Sequence, residues 1–586
     1  MRLKRNRMCG TLRPADIGST VCLMGWVAKE RNLGALIFID LRDTTGISQV
    51  VVTKEQTPAL YEIAETVRGE FVIAVEGIVR ERESKNPNLP TGTVEVLASD
   101  FQILDRAQTP PIYVRDEDNA SETMRLKYRF LDLRKEQMQN NLKIRAKAAK
   151  AFRDFLYEHD FIEVETPVLT KPTPEGARDY LVPSRVNPHE FYALPQSPQL
   201  LKQILMISGM DRYYQIVKCF RDEDLRANRQ PEFTQVDIEM SFVDMEDVIG
   251  INERLIAHLF REIKGVEIPL PIRRMTYGEA MRDYGVDKPD LRFGFLLKDL
   301  EDIFADTDFV PFANALEAKH SIRGFQIGEH ESAYSRKKID KLVDFVKDYG
   351  VNSLFWIKFH EGEMSSSMAK FLTPVQIDAL KERFEIDQNG LILMAAGEYE
   401  RVCAALGNLR VHLAQELELL DNQIFEMTWI TDFPLFEYDE DEARYVAKHH
   451  PFTKPVEEDI PLLKTNPKAV RAMAYDIVIN GDEMGGGSIR INNSDLQNTM
   501  FEALGLSQED IENKFGFFIE ALKYGTPPHG GIAYGFDRLV MLLVGTNNIK
   551  DVIAFPKTQS ATCLMSGAPS KVDEKQLKEA HIKLDA

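Results

Sequence analysis

The chain has 586 residues, 44% hydrophobic and 28% charged, with a net charge of −20. It is too long for one core and suggests about three or four domains, while its negative balance argues against a general nucleic-acid coat but not against a local basic surface. No run approaches the ~20 apolar residues of a membrane span, and the scattered Cys9, Cys22, Cys219, Cys403 and Cys563 argue against a disulfide framework or zinc site and fit a reducing, cytoplasmic compartment.

The N-terminus, MRLKRNRMCG, is basic, but no apolar segment follows, so it does not read as a secretory signal. It reads as a solvated end, with a contact to RNA as the alternative. Residues 13–107 hold five short runs rich in Val, Ile and aromatics: STVCLMGWVA, ALIFIDLRD, ISQVVVT, EFVIAVEGIVRER and GTVEVLASDFQIL. A helix, PALYEIAETVR, falls between the third and fourth. That order suggests an OB-like barrel for residues 1–107, against a generic small β domain. AQTPPIYVRDEDNASE opens a proline- and charge-rich linker, 108–134.

A long helix is expected around 135–159, with Leu142, Ala146, Ala149, Phe152 and Leu156 at helical spacing. From there to 292 strands are expected to dominate, joined by polar loops, with a helix bearing Lys202 after ALPQSP. Residues 293–420 alternate amphipathic helices (KKIDKLVDFVKDYG, TPVQIDALKERFE) with short apolar strands (SLFWIKF, GLILMAAG), which reads as a compact α+β insertion. Strands with site-like polar residues resume over 421–560. The tail, 561–586, reads as an exposed helix or partly disordered.

The most unusual stretch is FRDEDLRANRQPEFTQVDIEM, 220–240. Strand alternation puts Phe233, Gln235, Asp237 and Glu239 on one face and Thr234, Val236, Ile238 and Met240 on the other. Arg221 can join the polar face across a hairpin, and the loop carries Arg226 and Arg229. A solvated sheet face is the ordinary reading of mixed charge. It does not explain an arginine beside an aromatic, which suits a nucleotide's phosphate and base. YDIVINGDEMGGGSIRIN places Asp476, Glu483 and Arg490 around a triple glycine. Glu483 and Arg490 are an odd number apart, so a bulge is needed to bring them to one face. No Lys-Ser/Thr follows the glycines, so this is not a P-loop. GIAYGFDRLVMLLVG runs from strand into helix with Arg538 at the junction. In AKHHPFT a metal pair of His449 and His450 is a weak reading, because adjacent strand residues face opposite ways. No Ser-His-Asp arrangement or reactive cysteine stands out. The chemistry therefore points to positioning and charge neutralisation, as in phosphoryl or nucleotidyl transfer with Mg²⁺.

Together these segments resemble the class II aminoacyl-tRNA synthetases, and within them the bacterial-type aspartyl branch. FIEVETPVLTKPTPEGARDYLVPSR, the 220–240 stretch and GIAYGFDRLVMLL match the three class motifs in order, with QSPQLLKQ and GGGSIR between them. The resemblance covers nearly the whole chain. It implies a multidomain α+β protein: an OB-fold anticodon-binding barrel, an antiparallel catalytic sheet flanked by helices and interrupted by the insertion, in a homodimer with Pro167 at the interface. It implies tRNA(Asp), L-aspartate, ATP as substrate and Mg²⁺.

Site roles are likewise implied by the resemblance. Arg221, Arg538 and Glu483 would be catalytic, Arg221 holding the α-phosphate and the reacting carboxylate. Asp222, Glu223, Gln230, Gly535, Phe536 and Asp537 would line the ATP site, with adenine between Phe233 and Arg538. Asp476 and Glu483 would hold Mg²⁺. Lys202 and Arg490 would pair with the aspartate side chain. Glu175, Gln199 and Asp237 would surround its ammonium group, and His449 would close over it. Phe38, Gln49 and Glu95 are candidate anticodon contacts. The chain departs from the family at WVAKERNLG, where Glu30 and Asn32 interrupt a usual Arg-Arg-Asp run. Leu33 stands where members tolerant of tRNA(Asn) often carry His, so a preference for tRNA(Asp) is expected. A sister synthetase for asparagine or lysine and a non-catalytic OB-fold RNA-binding regulator are the rival readings.

Overall fold

The computed structural model describes residues 2–172, 177–223, 228–440 and 443–585. Its contacts divide the chain into two compact units. The first comprises Met1–Ala146, Leu225–Gln230 and Thr546–Val572; the second comprises Lys147–Asp224, Pro231–Gly545 and Asp573–Ala586.

The first unit is built on β1 (Thr20–Asn32), β2 (Leu36–Asp43), β3 (Gly46–Thr53), α1 (Pro58–Ala64), β4 (Val72–Glu81) and β5 (Val94–Asp105). They close a barrel in the order β1-β2-β3-β5-β4, as the OB-like reading expects. Inward-facing Val21, Leu23, Ile39, Leu41, Val50, Val75 and Val96 fill it, because alternation sends every second residue inside. The expected linker is not a plain tether. It contains α2 (Glu122–Lys127) and α3 (Arg129–Asp132). Arg134 lies over the Trp26 ring at 5.1 Å and donates to Glu70 at 2.9 Å. Buried Arg129 pairs with Asp132 at 2.7 Å and donates to the carbonyls of Ile553 and Ala554. These bonds fold the linker and residues 546–572 into the barrel's own unit.

The long helix α4 (Glu136–Glu158) carries the chain into the second unit, at the expected place. There follow β6 (Ile162–Glu163), β7 (Leu181–Pro183), β8 (Phe191–Ala193), α5 (Gln199–Ile207), β9 (Arg212–Phe220), β10 (Glu232–Ser241), α6 (Met245–Lys264), β11 (Arg273–Thr276) and α7 (Tyr277–Tyr284). Strands do not dominate this stretch as expected. After β10 the buried positions become Val248, Ile249, Asn252, Leu255, Ile256, Leu259 and Phe260, a helical spacing. Asp244 and Asp247 form a capping box at the start of α6, and Gly265 ends it in the left-handed conformation.

The insertion comprises β12 (Lys298–Asp299), α8 (Val310–Glu317), β13 (Ser321–Gln326), α9 (Arg336–Lys347), β14 (Phe355–His360), β15 (Glu363–Ser366), α10 (Pro374–Arg383), β16 (Gly390–Gly397) and α11 (Tyr399–Glu416). Its five strands order β12-β13-β16-β14-β15 and carry a separate apolar core on each face. Two buried arginines fasten it. Arg323 donates to the carbonyls of Met281 and Arg282 at the end of α7. Arg410 lies between the rings of Tyr284 and Phe293 and donates to Gly294 and Phe295.

The rest comprises β17 (Met427–Thr431), β18 (Phe436–Asp439), β19 (Arg444–Ala447), β20 (Ala474–Ile479), β21 (Asp482–Ile489), α12 (Ser494–Ala503), α13 (Gln508–Leu522), β22 (His529–Gly535), α14 (Phe536–Val544) and the exposed tail helix α15 (Glu574–Glu579). The central sheet has eight strands in the order β11-β17-β20-β21-β22-β10-β9-β6. It is antiparallel except at its two ends, where β11 with β17 and β6 with β9 run parallel.

Candidate functional site

Four central strands lay out the site by register. Asp237 on β10 faces Ala533 on β22, Ala533 faces Gly486 on β21, and Gly486 faces Asp476 on β20. Two residues along, Glu239 faces Gly531, which faces Ser488. Positions in register, or two apart, share a face. Carboxylates therefore stand at the edges of a floor of Gly, Ala and Ser, about three strand spacings of roughly 4.8 Å across. The floor has to be this small. A Cβ on Gly486 would lie 2.7 Å from Asp476 Oδ1, and one on Gly531 would lie 2.1 Å from Glu239 Oε2. The bulge that sequence parity demands is present. Pairing shifts from Ile477–Gly485 to Val478–Glu483, leaving Met484 as the extra residue between Glu483 and Arg490.

At one end two buried cations meet two buried carboxylates. Lys202 on α5 is 2.8 Å from Asp237 and 3.3 Å from Glu239. Arg490 grips Glu239 through Nε and Nη2 at 2.9 and 3.1 Å, and through Nη1 donates to Ser488 at 2.7 Å and to His450 Nε2. Burial would raise the Glu239 pKa, but Arg490 and Lys202 hold it down to about 2. For Asp237 burial outweighs Lys202 and its pKa is raised. Burial, then the charge of Arg490, pushes His450 well below the usual imidazole range, so it accepts as a neutral ring. Lys202 and Arg490 are thus already engaged by carboxylates of the chain itself. Ammonium has three donors and guanidinium five; the bonds above leave about one N–H on each for a ligand.

Among the buried polar atoms without a hydrogen-bond partner in the described residues, scattered over both units, five belong to this site. Gln199 Nε2, Arg221 Nε, Asp237 Oδ2 and His449 Nδ1 are buried and unsatisfied, and Asp476 Oδ1 has only the 3.5 Å ion contact with His449. Each such atom costs about 1–3 kcal/mol unless something fills the site, and all five belong to residues that sequence reasoning selects. Glu175 and Arg226 lie outside the described residues.

At the other end Arg221 lies over the Phe233 ring, 5.2 Å from its centre, which joins it to the polar face as expected. Arg538 donates to the Glu483 carbonyl. The Asp222 backbone bonds Arg178 twice, its N–H donating to the Arg178 carbonyl and its own carbonyl accepting from the Arg178 guanidinium. Two residues expected at the nucleotide, Phe536 and Asp537, have buried side chains. The Asp537 carboxylate accepts from the Thr234 N–H at 2.7 Å, and Phe536 packs edge-on against Phe152. Asp537 thus ties α14 to β10 of the sheet, and Phe536 packs it against α4. Gly535 is the last residue of β22, opposite Gln235. Gln230 belongs to the first unit, where its side-chain amide pairs with both backbone groups of Lys557 at 2.7 and 3.1 Å.

Asp476 and Glu483 fit a hard divalent cation. The charge of Asp476 raises the Glu483 pKa, and both carboxylates lean over Gly486. A cation relieves that repulsion. Among the described residues no three His, Cys, Asp or Glu side chains form a metal cage, so the pair would supply part of a shell that substrate phosphates and water complete, the usual manner of Mg²⁺. His449 sits 3.5 Å from Asp476 and edge-on to Phe433. Burial opposes its protonation, but Asp476 prevails and its pKa is raised.

Sequence reasoning put Glu239 on the polar face beside Asp237 and weighed His450 only as a weak metal pair with His449, and it gave neither these two nor Ser488 a role toward the substrate. The signals were present: Glu239 alternates with Asp237, His450 adjoins His449, and Ser488 lies two residues before Arg490.

The barrel carries its own polar platform. Gln49 faces Glu95 across β3 and β5 and donates to it at 2.7 Å. The Gln49 side-chain carbonyl accepts from Arg31 at 3.0 Å and Arg82 at 2.9 Å, and Glu95 accepts from Arg80 at 2.8 Å. Arg31 also lies 5.8 Å from the Phe38 ring centre. Leu33 is 71% exposed. Arg80 and Arg82 are the members that sequence reasoning missed.

Residues 121–559 match the family described as tRNA synthetases class II (D, K and N), and residues 21–104 match the OB-fold nucleic acid binding domain. An aspartate--tRNA(Asp/Asn) ligase of Caldanaerobacter subterraneus subsp. tengcongensis is 55% identical over 100% of this chain and 99% of its own. An aspartate--tRNA ligase of Clostridium tetani is 54% identical over 99% and 98%. Among solved structures, asparaginyl-tRNA synthetase from Pyrococcus horikoshii with asparaginyl-adenylate superposes with a TM-score of 0.59 at 19% identity, covering 95% of this chain and 98% of that one. Aspartyl tRNA synthetase from Entamoeba histolytica gives 0.57 at 19%, covering 93% and 89%. At that identity these two speak for the fold alone.

Proposed function

The chain belongs to the class II tRNA synthetases of the D, K and N group, and from that we propose that it joins L-aspartate to tRNA(Asp) at the expense of ATP. The observation that carries the reading is the buried pair Lys202 and Arg490, each held by carboxylates with about one N–H left over, beside the Arg221–Phe233 pair. A substrate carboxylate accepts from both remaining donors. An asparagine amide turns its own N–H₂ toward one of them, and sites built this way reject such analogues on the order of 10⁴-fold.

In the first step the α-carboxylate of aspartate attacks the α-phosphorus of ATP in line and pyrophosphate leaves. Arg221 neutralises charge on the α-phosphate and orients the attacking carboxylate, with Phe233 packing under it. Gln199 Nε2 and Asp237 Oδ2, both without a hydrogen-bond partner, would lie around the ammonium end of the amino acid. Mg²⁺ held by Asp476 and Glu483 would neutralise phosphate charge. In the second step a ribose hydroxyl at the tRNA 3′ end attacks the carbonyl of the mixed anhydride and AMP leaves. The remaining assignments, Glu175, Asp222, Glu223, Gln230 and Gly535 near the substrates and His449 as closing residue, form part of the same proposal.

Phe38, Gln49 and Glu95 serve as anticodon contacts in this account, and tRNA(Asp) is preferred over tRNA(Asn), with exposed Leu33 in the position that reads the difference. The relatives divide between ligases named for tRNA(Asp/Asn) and for aspartate alone, so acceptance of both tRNAs is the second reading. Aspartylation rates on purified tRNA(Asp) and tRNA(Asn) separate the two: a strong bias to tRNA(Asp) supports the preference, and comparable rates overturn it. The homodimer forms through the face around Pro167, where Val168 and Leu169 are about half exposed at 48% and 51%. No helix among the described residues is long and apolar enough to cross a membrane; we place the protein in the reducing cytoplasm, where its five free thiols persist.

A further inference from the structure

The first thirteen residues hold five cations, Arg2, Lys4, Arg5, Arg7 and Arg13, and no acid, in a chain whose net charge is −20. They precede the part matched as an OB-fold, and the activity above makes no use of them. They are not a loose end. Leu3 is buried against Cys22 and Ala74. Asn6 and Cys22 exchange two bonds, Asn6 N–H to the Cys22 carbonyl at 3.1 Å and Cys22 N–H to Asn6 Oδ1 at 2.7 Å. Cys9 is buried, and its N–H donates to Asp43 at 2.7 Å. Anchored at residues 3, 6 and 9, the strap turns its cations outward, and Arg2, Lys4, Arg5 and Arg7 are all exposed.

Its ends are neutralised locally. Arg2 donates to Asp100 at 2.6 Å, and Arg7 to Asp16 at 3.1 Å. Lys4 and Arg5, in the middle, have no carboxylate partner among the described residues. At the far end of β1 the charge is already in use, since Arg31 is engaged by Asp40 and Gln49. Two adjacent cations on a prefixed backbone suit a polyanion: binding orders little new chain and releases counterions.

We propose that the strap Arg2–Arg7 is a phosphate-binding surface for the sugar–phosphate backbone of the tRNA, with Lys4 and Arg5 as the contacting residues. This rests on the synthetase reading and adds an RNA contact outside the anticodon platform. Contacts of this kind raise affinity without reading sequence.

The test is binding of the full chain to a tRNA(Asp) transcript across a salt series, together with ATP–pyrophosphate exchange, which needs no tRNA. K4A/R5A should weaken tRNA binding by about five- to thirtyfold at low salt and lower the log–log salt slope by about 1 to 2. Exchange with aspartate and the thermal midpoint should stay at the wild-type values, and K4R/R5K should bind like wild type. Unchanged affinity and slope in K4A/R5A overturn the proposal. So does a joint loss of exchange and binding, which would mark a fold defect. If the wild-type chain itself fails to exchange with aspartate, the synthetase reading falls instead, and the salt slope still reports on the strap.

Discussion

Glu239 decides what Lys202 and Arg490 can offer a ligand. It accepts from both, is fully buried, and has its pKa held to about 2. Removing one member of a buried ionic group leaves charge uncompensated, at about 3–5 kcal/mol. E239Q should therefore lower unfolding stability by about 3 kcal/mol in urea titrations and raise the KM for aspartate at least tenfold. An unchanged midpoint would contradict the account. The same group sets an acid limb. Its folded pKa lies below the ordinary 4.5, at about 2, so its stabilisation is complete above pH 4.5 and is lost as pH falls from there through 2. Asp237 works in the opposite sense. Its pKa is raised by burial against Lys202, so its protonation in acid offsets part of the loss. Between pH 4.5 and 2, E239Q should flatten the fall in stability, and D237N should remove the gain that Asp237 contributes as pH falls toward its ordinary 3.8; identical limbs in all three proteins would refute the coupling.

At the scale of elements, the site depends on strands that carry almost no side chain. Gly531 sits where a Cβ would lie 2.0 Å from the Ile238 carbonyl and 2.1 Å from Glu239. G531A should cut aspartate activation at least a hundredfold and destabilise the fold by about 1–3 kcal/mol. Activation within threefold of wild type would mean that the floor is not where the substrate lies. How legible these elements were depends on period. The barrel strands are marked by runs of Val, Ile and aromatics between turns, α4 by helical spacing, and the β22–α14 junction by a glycine-rich strand giving way to an apolar helix, and sequence reading places them. Parity between Glu483 and Arg490 even demanded the bulge at Met484. Helix α6 was missed although its buried residues fall at helical spacing, because the strong alternation of β10 was carried past Ser241. Helices α8 and α11 and strand β13 of the insertion were missed as well; Arg323 and Arg410 interrupt the apolar pattern of β13 and α11, and only the fold supplies the carbonyls and rings that let them be buried. Glu239, His450 and Ser488 were given no role toward the substrate for the same reason. Each acts through Arg490, and partners distant in sequence are invisible until the strands are in register. Phe536 and Asp537 show the converse: residues inside a recognised motif can serve the scaffold.

On the scale of the whole molecule, function is spread over parts that the chain visits more than once. The barrel unit takes back residues 546–572, and the catalytic sheet is completed only after the insertion. The insertion's arginines bond the end of α7, so it is built onto the catalytic sheet's own framework. The exposed edge strand β6 and the adjoining Pro167–Leu169 face lie at the end of that sheet. V168D/L169D should convert a dimer to a monomer in sedimentation, because charge on a desolvated apolar interface is strongly unfavourable; a variant that still sediments as wild type would place the interface elsewhere. Selection of aspartate by the Lys202–Arg490 pair is the central claim, and ATP–pyrophosphate exchange with the purified chain, Mg²⁺ and each amino acid in turn tests it most directly. Exchange is expected with aspartate alone, with asparagine and lysine near background. No exchange with aspartate, or equal exchange with asparagine, would contradict it.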